Sequence, residues 1–467
     1  MDQILTEDVK LTCQRLANAG YEVYLVGGCV RDALMGMDPK DVDITTNAEP
    51  SEVQKLFPHH FDTGIKHGTV TVSPEDYPFS MFEVTTYRID GKYEDGRHPE
   101  DVTFTKSLKE DLARRDFTVN AIAYNPIKNV YEDPFNGLND IQKEIIRAVG
   151  NPKDRFMEDP LRVLRGMRFS IKLGFEIEEN TKKAMHDPEV LQKLSDCISK
   201  ERITEELRIM LTCGKPVHDC FLEFMDIIGV IMPEMKPCFH HNQNNAWHKR
   251  DVYEHTLYVI DGCNTRNFEI KMAALLHDIG KPASQVRGED GYDHFYGHPK
   301  VSREISETVL EKDFKVSRKE KERILDLVEY HDMEIRPETK NIKKMLHKFG
   351  EEFIRQWYVL KGADLLDHSC PPGKEARMLD TKSRYEVFLP SLNKVLKENS
   401  AFQIKDLAIN GTDLMTELGI KPGPEIGILL KKALDAVLNE EVLNQKEELL
   451  QMISEKRNEK EQEEERE

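Results

Sequence analysis

Two aspartates, Asp41 and Asp43, stand two residues apart in the stretch GGCVRDALMGMDPKDVDITT (27–46). Side chains two apart in a β-strand point to the same face, so this pair can hold a divalent metal between them. Gly27 and Gly28 follow the strand-like run YEVYLV. Glycines there let backbone N–H groups come close to a phosphate, and Arg31 adds positive charge. A glycine pair alone is usually a turn, and D-x-D alone is usually a solvated strand end. A glycine turn, a cation and paired carboxylates in this order describe a site for a nucleoside triphosphate with magnesium.

Three later stretches carry related chemistry. Glu83 lies on the strand-like MFEVTTYR (81–88). A third carboxylate on a neighbouring strand completes a two-metal site, one ion activating a 3′-hydroxyl and the other holding the triphosphate. The simpler alternative is a glutamate facing solvent. In RRDFTVNA (114–121), Arg114, Arg115, Asp116 and Asn120 surround the apolar Phe117. An Arg–Asp pair can grip a ribose, the carboxylate accepting from the 2′-hydroxyl, which favours NTP over dNTP; a helix-start ion pair is the plainer reading. In EDPLRVLRGMRF (158–169), Pro160 after acidic residues marks a helix start. Asp159, Arg162 and Arg165 then fall at i, i+3 and i+6, with Arg168 following, along one stripe. Cytosine and adenine each present an amine donor beside a ring-nitrogen acceptor, which a carboxylate beside a guanidinium matches. Guanine and uracil present the reverse order. Asp159 and Arg162 are therefore expected to select C and A without a nucleic-acid template, with Arg165 and Arg168 near the triphosphate or the base.

These motifs, with DPFNGLNDI (133–141) and ERITEELRIML (201–211), resemble over about residues 21–215 the class II tRNA nucleotidyltransferases. That family comprises the CCA-adding enzymes and bacterial poly(A) polymerases, within the DNA-polymerase-beta-like superfamily. The resemblance implies Mg2+ on Asp41 and Asp43 with Glu83 as third acid. It implies nucleotide contacts from Gly27, Gly28, Arg31, Arg115, Asp116, Asn120, Asp159, Arg162, Arg165 and Arg168. The implied reaction adds C, C and A from CTP and ATP to the tRNA 3′ acceptor end and releases pyrophosphate. Within the same class stand an A-adding enzyme of a split system and a poly(A) polymerase; the latter is expected to carry a basic extension, whereas this C-terminus is acidic. The segment RIDGKYEDGRHPEDVTF (88–104), with Asp95 and Arg97, reads as a mobile loop, and in the family such a loop is associated with adding the terminal A.

A second group of ligand-type residues follows: His255, LLHDIGKP (275–282), His298, His331 and Asp364. Imidazole and carboxylate together suit a transition metal or magnesium. The pattern resembles the HD phosphohydrolase superfamily, whose quartet falls on His255, His277, Asp278 and Asp364. His298 and His331 would extend it to two metals, and Lys281 would meet a phosphate. The resemblance implies a second divalent metal (Mn, Ni, Mg or Fe) and phosphodiesterase or phosphatase action on RNA ends. Two other readings are a hydrolase whose head only senses nucleotides, and a non-enzymatic RNA-binding scaffold.

Elements must hold these residues in place. Apolar spacing predicts a helix over 4–19, stopped by Gly20, and strands at 21–26, 42–46, 68–73 and 81–88. The expected fold class is α+β: a small mixed α/β head over 1–145, followed by an elongated, mostly helical body. That body would divide into a nucleotide-selection neck (146–240), an all-α HD-type domain (241–370) and a tRNA-binding segment (371–467). The net charge of −19 is unusual for an RNA binder, but a local cationic surface can sit on an acidic protein. The tail EKRNEKEQEEERE (455–467) supplies part of the excess and reads as frayed helix or disorder. Eight scattered cysteines without C-x-x-C, no signal-peptide pattern and no membrane-length apolar run predict a cytoplasmic, non-membrane protein.

Overall fold

The computed structural model describes residues 1, 4–39, 41–77, 79–91, 102–397 and 402–464. By its internal contacts the chain forms two compact units. One comprises Met1–Lys236 with Val309–Val316, the other Pro237–Thr308 with Ser317–Glu467.

The first unit begins with helix α1 (Glu7–Asn18), whose Val9, Thr12, Cys13 and Leu16 are buried. A seven-stranded sheet follows, built from β1 (Val23–Val26), β2 (Asp43–Thr46), β3 (His59–Gly64), β4 (Thr69–Ser73), β5 (Phe82–Thr86), β6 (Ala123–Asn125) and β7 (Val130–Glu132). Its order is β3-β4-β5-β2-β1-β6-β7. Only β2 and β5 run parallel; the other pairs are antiparallel. The four expected strands form within a residue or two of their predicted ends. Alternation explains this: Ile44, Val70, Val72 and Val84 turn into one core with Leu16, Leu25 and Phe57. β3, β6 and β7 were not expected. β3 carries no aliphatic side chain and is little buried (HHFDTG), and the other two are three residues long.

Short helix α2 (Gly28–Leu34) leads from β1 towards β2, and helices α3 (Pro152–Glu158), α4 (Leu161–Leu173) and α5 (Lys200–Thr212) follow the sheet. α4 buries Val163, Leu164, Met167 and Phe169, and packs extensively on α5. The sequence reading placed Asp159 on this helix. In the structure it lies in extended conformation (φ −132°, ψ 99°) between α3 and α4. A residue before proline is pushed out of the α region, so Pro160 itself excludes Asp159 from the helix.

The second unit is mostly helical, with a short strand pair, Val286–Arg287 and Asp293–His294. α6 (Val252–Gly262), α7 (Phe268–Leu276), α8 (His298–Lys312), α9 (Arg318–Tyr330) and α10 (Thr339–Asp367) make up its first part, with α8 running on into residues grouped with the first unit. α6 and α10 approach closely at Gly262, where a Cβ would lie 3.2 Å from that of Ala363. The C-terminal helices Gly411–Leu418, Pro424–Leu438 and Lys446–Glu464 enclose their own apolar core around Leu414, Leu434 and Leu449. No helix among the described residues is long and apolar enough to cross a membrane, and all eight cysteines are free thiols.

Candidate active site

β-Sheet register brings the acids together. Asp43 opens β2 opposite Val26 at the end of β1, and on its other side pairs with Glu83 of the parallel β5. Asp41 is exposed just ahead of the strand. The Asp43 carboxyl is pushed above the usual carboxylate range by desolvation; the Arg115 guanidinium opposes this shift and Asp41 reinforces it. Glu83 is raised by desolvation, then by Asp43 and Asp41. Carboxylates that repel one another at the end of a sheet are a donor set that a hard divalent cation satisfies.

Asp43 also faces a cavity of about 590 Å³. Gly27, Gly28, Arg31, Arg115, Asp116, Asn120, Asp159, Arg162, Arg165 and Arg168 all line it, whereas Asp41 and Glu83 do not. Gly27 has φ 77°, and a Cβ there would lie 3.1 Å from Arg115 Nη1 and 3.6 Å from Asp43 Oδ2. Arg31 donates to Asn120 Oδ1 (2.6 Å) and Asp32 Oδ1 (2.8 and 2.5 Å). Asn120 Nδ2 in turn donates to Asp116 Oδ1 at 3.0 Å. Arg165 grips the other Asp116 oxygen through Nε (2.8 Å) and Nη2 (2.5 Å). Burial alone would raise the Asp116 carboxyl, but Arg165 and Asn120 outweigh it and hold the group well below the usual range.

Asp159 and Arg162, the pair expected to read the base, are also held firmly. Arg162 Nη1 donates to Arg155 O (3.0 Å) and Glu158 Oε2 (2.8 Å), and its Nη2 donates to Arg114 O (2.9 Å). These bonds occupy three of the guanidinium's five N–H groups and lock its plane. Asp159 accepts from Leu161 N (3.1 Å) and from Arg202 Nη1 (3.2 Å) and Nη2 (2.8 Å). Arg168 pairs with Glu206 at 2.8 Å.

The family described as Poly A polymerase head domain matches residues 23–147, and tRNA nucleotidyltransferase domain 2 matches residues 298–453. The chain is 34% identical over 432 residues to the CCA-adding enzyme of Lactobacillus delbrueckii subsp. bulgaricus, covering 92% of this chain and 93% of that one. This chain belongs to the CCA-adding enzyme family. It is also 30% identical to the CCA-adding enzyme of Limosilactobacillus reuteri, over 96% of each chain. Among solved structures it resembles the Bacillus stearothermophilus CCA-adding enzyme in complex with CTP: TM-score 0.67, 28% identity and 98% of each chain covered. The Thermotoga maritima CCA-adding enzyme complexed with tRNA shares the fold at 19% identity, with TM-score 0.60 and 96% and 95% of the two chains covered. Membership of this nucleotidyltransferase family implies a divalent metal, magnesium, in the head.

Sequence reasoning overlooked part of the cavity wall. Arg202 lies inside ERITEELRIML, a stretch recognised only as a motif, and its pairing with Asp159 spans 43 positions. His67, Arg88, Phe169 and Lys172 also line the cavity without having been singled out as site residues. Eight arginines and one lysine face three aspartates there, a local excess that reconciles an anionic substrate with the acidic chain. Asp95 and Arg97 of the expected loop lie outside the described residues; the segments flanking it, Arg88–Asp90 and Val102–Phe104, pair antiparallel.

The second ligand group converges inside the second unit. Asp278 is fully buried, and its two oxygens face different partners. Oδ2 lies 3.2 Å from His277 Nε2, 3.4 Å from His255 Nε2 and 2.6 Å from the Lys281 ammonium, which was expected to meet a phosphate, while Oδ1 lies 3.2 Å from His298 Nε2 and 3.7 Å from His331 Nε2. Asp364 Oδ1 approaches His255 Nε2 at 3.4 Å. The opposite ring nitrogens are all committed. Nδ1 of His277, His298 and His331 contacts the backbone oxygens of Ala274, Phe295 and Val328, and Nδ1 of His255 contacts Asp367 Oδ2. If each Nδ1 carries the hydrogen it donates, four Nε2 lone pairs converge on one carboxylate, the arrangement that orients histidines as metal ligands. His248 and His368, which the sequence did not flag, flank His255.

Proposed function

We propose that the chain adds C, C and A to the 3′ end of tRNA from CTP and ATP, releasing pyrophosphate, in a cytoplasmic setting. One observation carries the reading: a metal-binding aspartate, Asp43, and the base-reading pair Asp159 and Arg162 share one cationic cavity. Asp41, Asp43 and Glu83 would hold Mg2+, which when bound supplies charge neutralisation for in-line attack by the tRNA 3′-hydroxyl. The Gly27–Gly28 backbone gives the triphosphate room to approach, with Arg115 beside it. Asp116, tied to Arg165 and Asn120, is placed for the ribose. Asp159 keeps lone pairs to accept the exocyclic amine of C or A. The remaining N–H groups of Arg162 can donate to the adjacent ring nitrogen. We assign selection to the first unit and the grip on tRNA, by shape and phosphate contacts, to helices beyond it.

The test is to give tRNAs ending in the discriminator base, in C or in CC either CTP or ATP alone and to sequence the ends. Ordered C, C, A addition with little G or U is expected. Equal use of all four nucleotides, or no pyrophosphate release, overturns the proposal.

The histidine cluster supports a second reading. His255, His277, Asp278 and Asp364, with His298 and His331, would hold one or two divalent metals (Mn, Ni, Mg or Fe), which when bound supply a Lewis acid for phosphoester hydrolysis. The convergence of four lone pairs on Asp278 is what favours it. Phosphate release from RNA ends that is lost in His277→Ala is the expected result; equal release by the two proteins removes it.

A further inference from the structure

Two cavities adjoin the histidine cluster, and both have aromatic walls. The first, about 300 Å³, exposes Asp278, His298, His331 and Asp364 beside Tyr296. Tyr296 is 75% exposed and lies parallel to His294, with ring centres 5.3 Å apart and 7° between the planes. One ring face is thus backed by an imidazole while the side chain stays largely open to solvent. The second cavity, about 480 Å³, shares Asn245, His248, Asp332 and His368 with the first, so the two adjoin at these residues. Its lining also includes Trp247, Met333, Ile335 and Met378, and the Arg377 guanidinium lies 5.5 Å from the indole centre.

A phosphomonoester at the end of a strand has a nucleoside on one side only. A phosphodiester within a strand has one on each side, and each of the two adjoining cavities is lined by a flat aromatic, Tyr296 in one and Trp247 in the other. Base–aromatic stacking tolerates any base, because every base has a π-face. Resting on the phosphohydrolase reading above, we propose that the cluster acts on a single-stranded oligoribonucleotide. One phosphate lies over the His–Asp floor, with the flanking bases against Tyr296 and Trp247. Hydrolysis is balanced as follows: a water oxygen bonds to phosphorus, one P–O bond to ribose breaks, and that ribose oxygen takes up a water proton. The other fragment keeps the phosphate.

The experiment loads the full chain with Mn2+ and compares a five-nucleotide single-stranded RNA with an abasic ribose-phosphate ester of the same length, which carries no base and no aromatic ring. The wild type should cleave both, and His277→Ala neither, which also excludes a contaminating nuclease. Tyr296→Ala and Trp247→Ala should each lower kcat/KM on the RNA by about ten-fold, mostly through KM, and leave the base-free ester unchanged. Tyr296 is a surface residue, so its variant remains informative should Trp247→Ala fail to fold. RNA cleavage unchanged in Tyr296→Ala, with the base-free ester still cleaved, overturns the substrate class and leaves the hydrolase reading intact. Failure of the Mn2+-loaded wild type to cleave either compound removes both.

Discussion

Arg202 holds the Asp159 carboxylate in a forked ion pair, reaching its two oxygens at 3.2 and 2.8 Å. Asp159 sits between two helices and belongs to neither, so this clamp and Leu161 N set the direction its lone pairs face. Arg202→Ala should therefore blur base choice without abolishing transfer. We expect discrimination against G and U to fall roughly ten- to a hundred-fold, the scale of a lost charged hydrogen-bond pair. Single-nucleotide incorporation assays with each NTP measure this. Arg202→Lys keeps the charge but loses the fork, and should recover only part of the selectivity.

Gly27→Ala meets two obstacles. Its φ of 77° disfavours a side chain, and the new methyl would press on Arg115 Nη1 at 3.1 Å beside Asp43. The backbone strain should destabilise the protein by about 1–2 kcal/mol. The larger effect should be on KM for CTP and ATP, measured at saturating tRNA. An unchanged KM would show that the triphosphate does not pass this turn.

Asp116 links stability to pH. Its carboxyl is held well below the usual carboxylate range, because Arg165 and Asn120 outweigh the burial that alone would raise it. A group depressed in the folded state stabilises above its unfolded pKa, and that stabilisation is lost as pH falls through the folded value. Asp116→Asn should lower stability at pH 7 by about 1–3 kcal/mol, discounted because Arg165 is partly exposed. The gap to wild type should begin to narrow below about pH 4 and close only at much lower pH, as urea midpoints across the acid range would show. The same variant should use dCTP more readily relative to CTP, since one acceptor oxygen facing the ribose becomes an NH2 donor.

Metal addition should separate the two proposed centres. Mn2+ should raise the thermal midpoint of the wild type, by about 2.7 kcal/mol of stabilisation at a hundred-fold excess over Kd. His277→Ala should lose the part of that rise that belongs to the second unit and still transfer CMP to tRNA. Elemental analysis of both proteins after gel filtration gives an independent readout.

Much of the site was legible because its parts are local. The strands around Asp43 and Glu83 announced themselves by alternation, and RRDFTVNA and EDPLRVLRGMRF put their polar groups within single turns or loops. The misplacement of Asp159 was avoidable, since Pro160 stood beside it as the signal. Arg202 was not legible in the same way: only tertiary packing of α5 on α4 brings it to Asp159. His298 and His331 were visible as residues, but the division of Asp278's two oxygens between histidine pairs could not be read from spacing. His248 and His368 gave no signal, because an isolated histidine is more often structural than ligating.

The pairing of Asp43 with Glu83 in the β2–β5 ladder has a consequence for how the protein fails. Their separation is written into main-chain hydrogen bonds, so apolar residues beneath the sheet, such as Val70 and Val84, can drift in size without detuning the acids. A slip of the ladder by one residue would instead turn Glu83 to the opposite face. Misassembled molecules should then be silent rather than error-prone, sparing the tRNA pool from wrong ends.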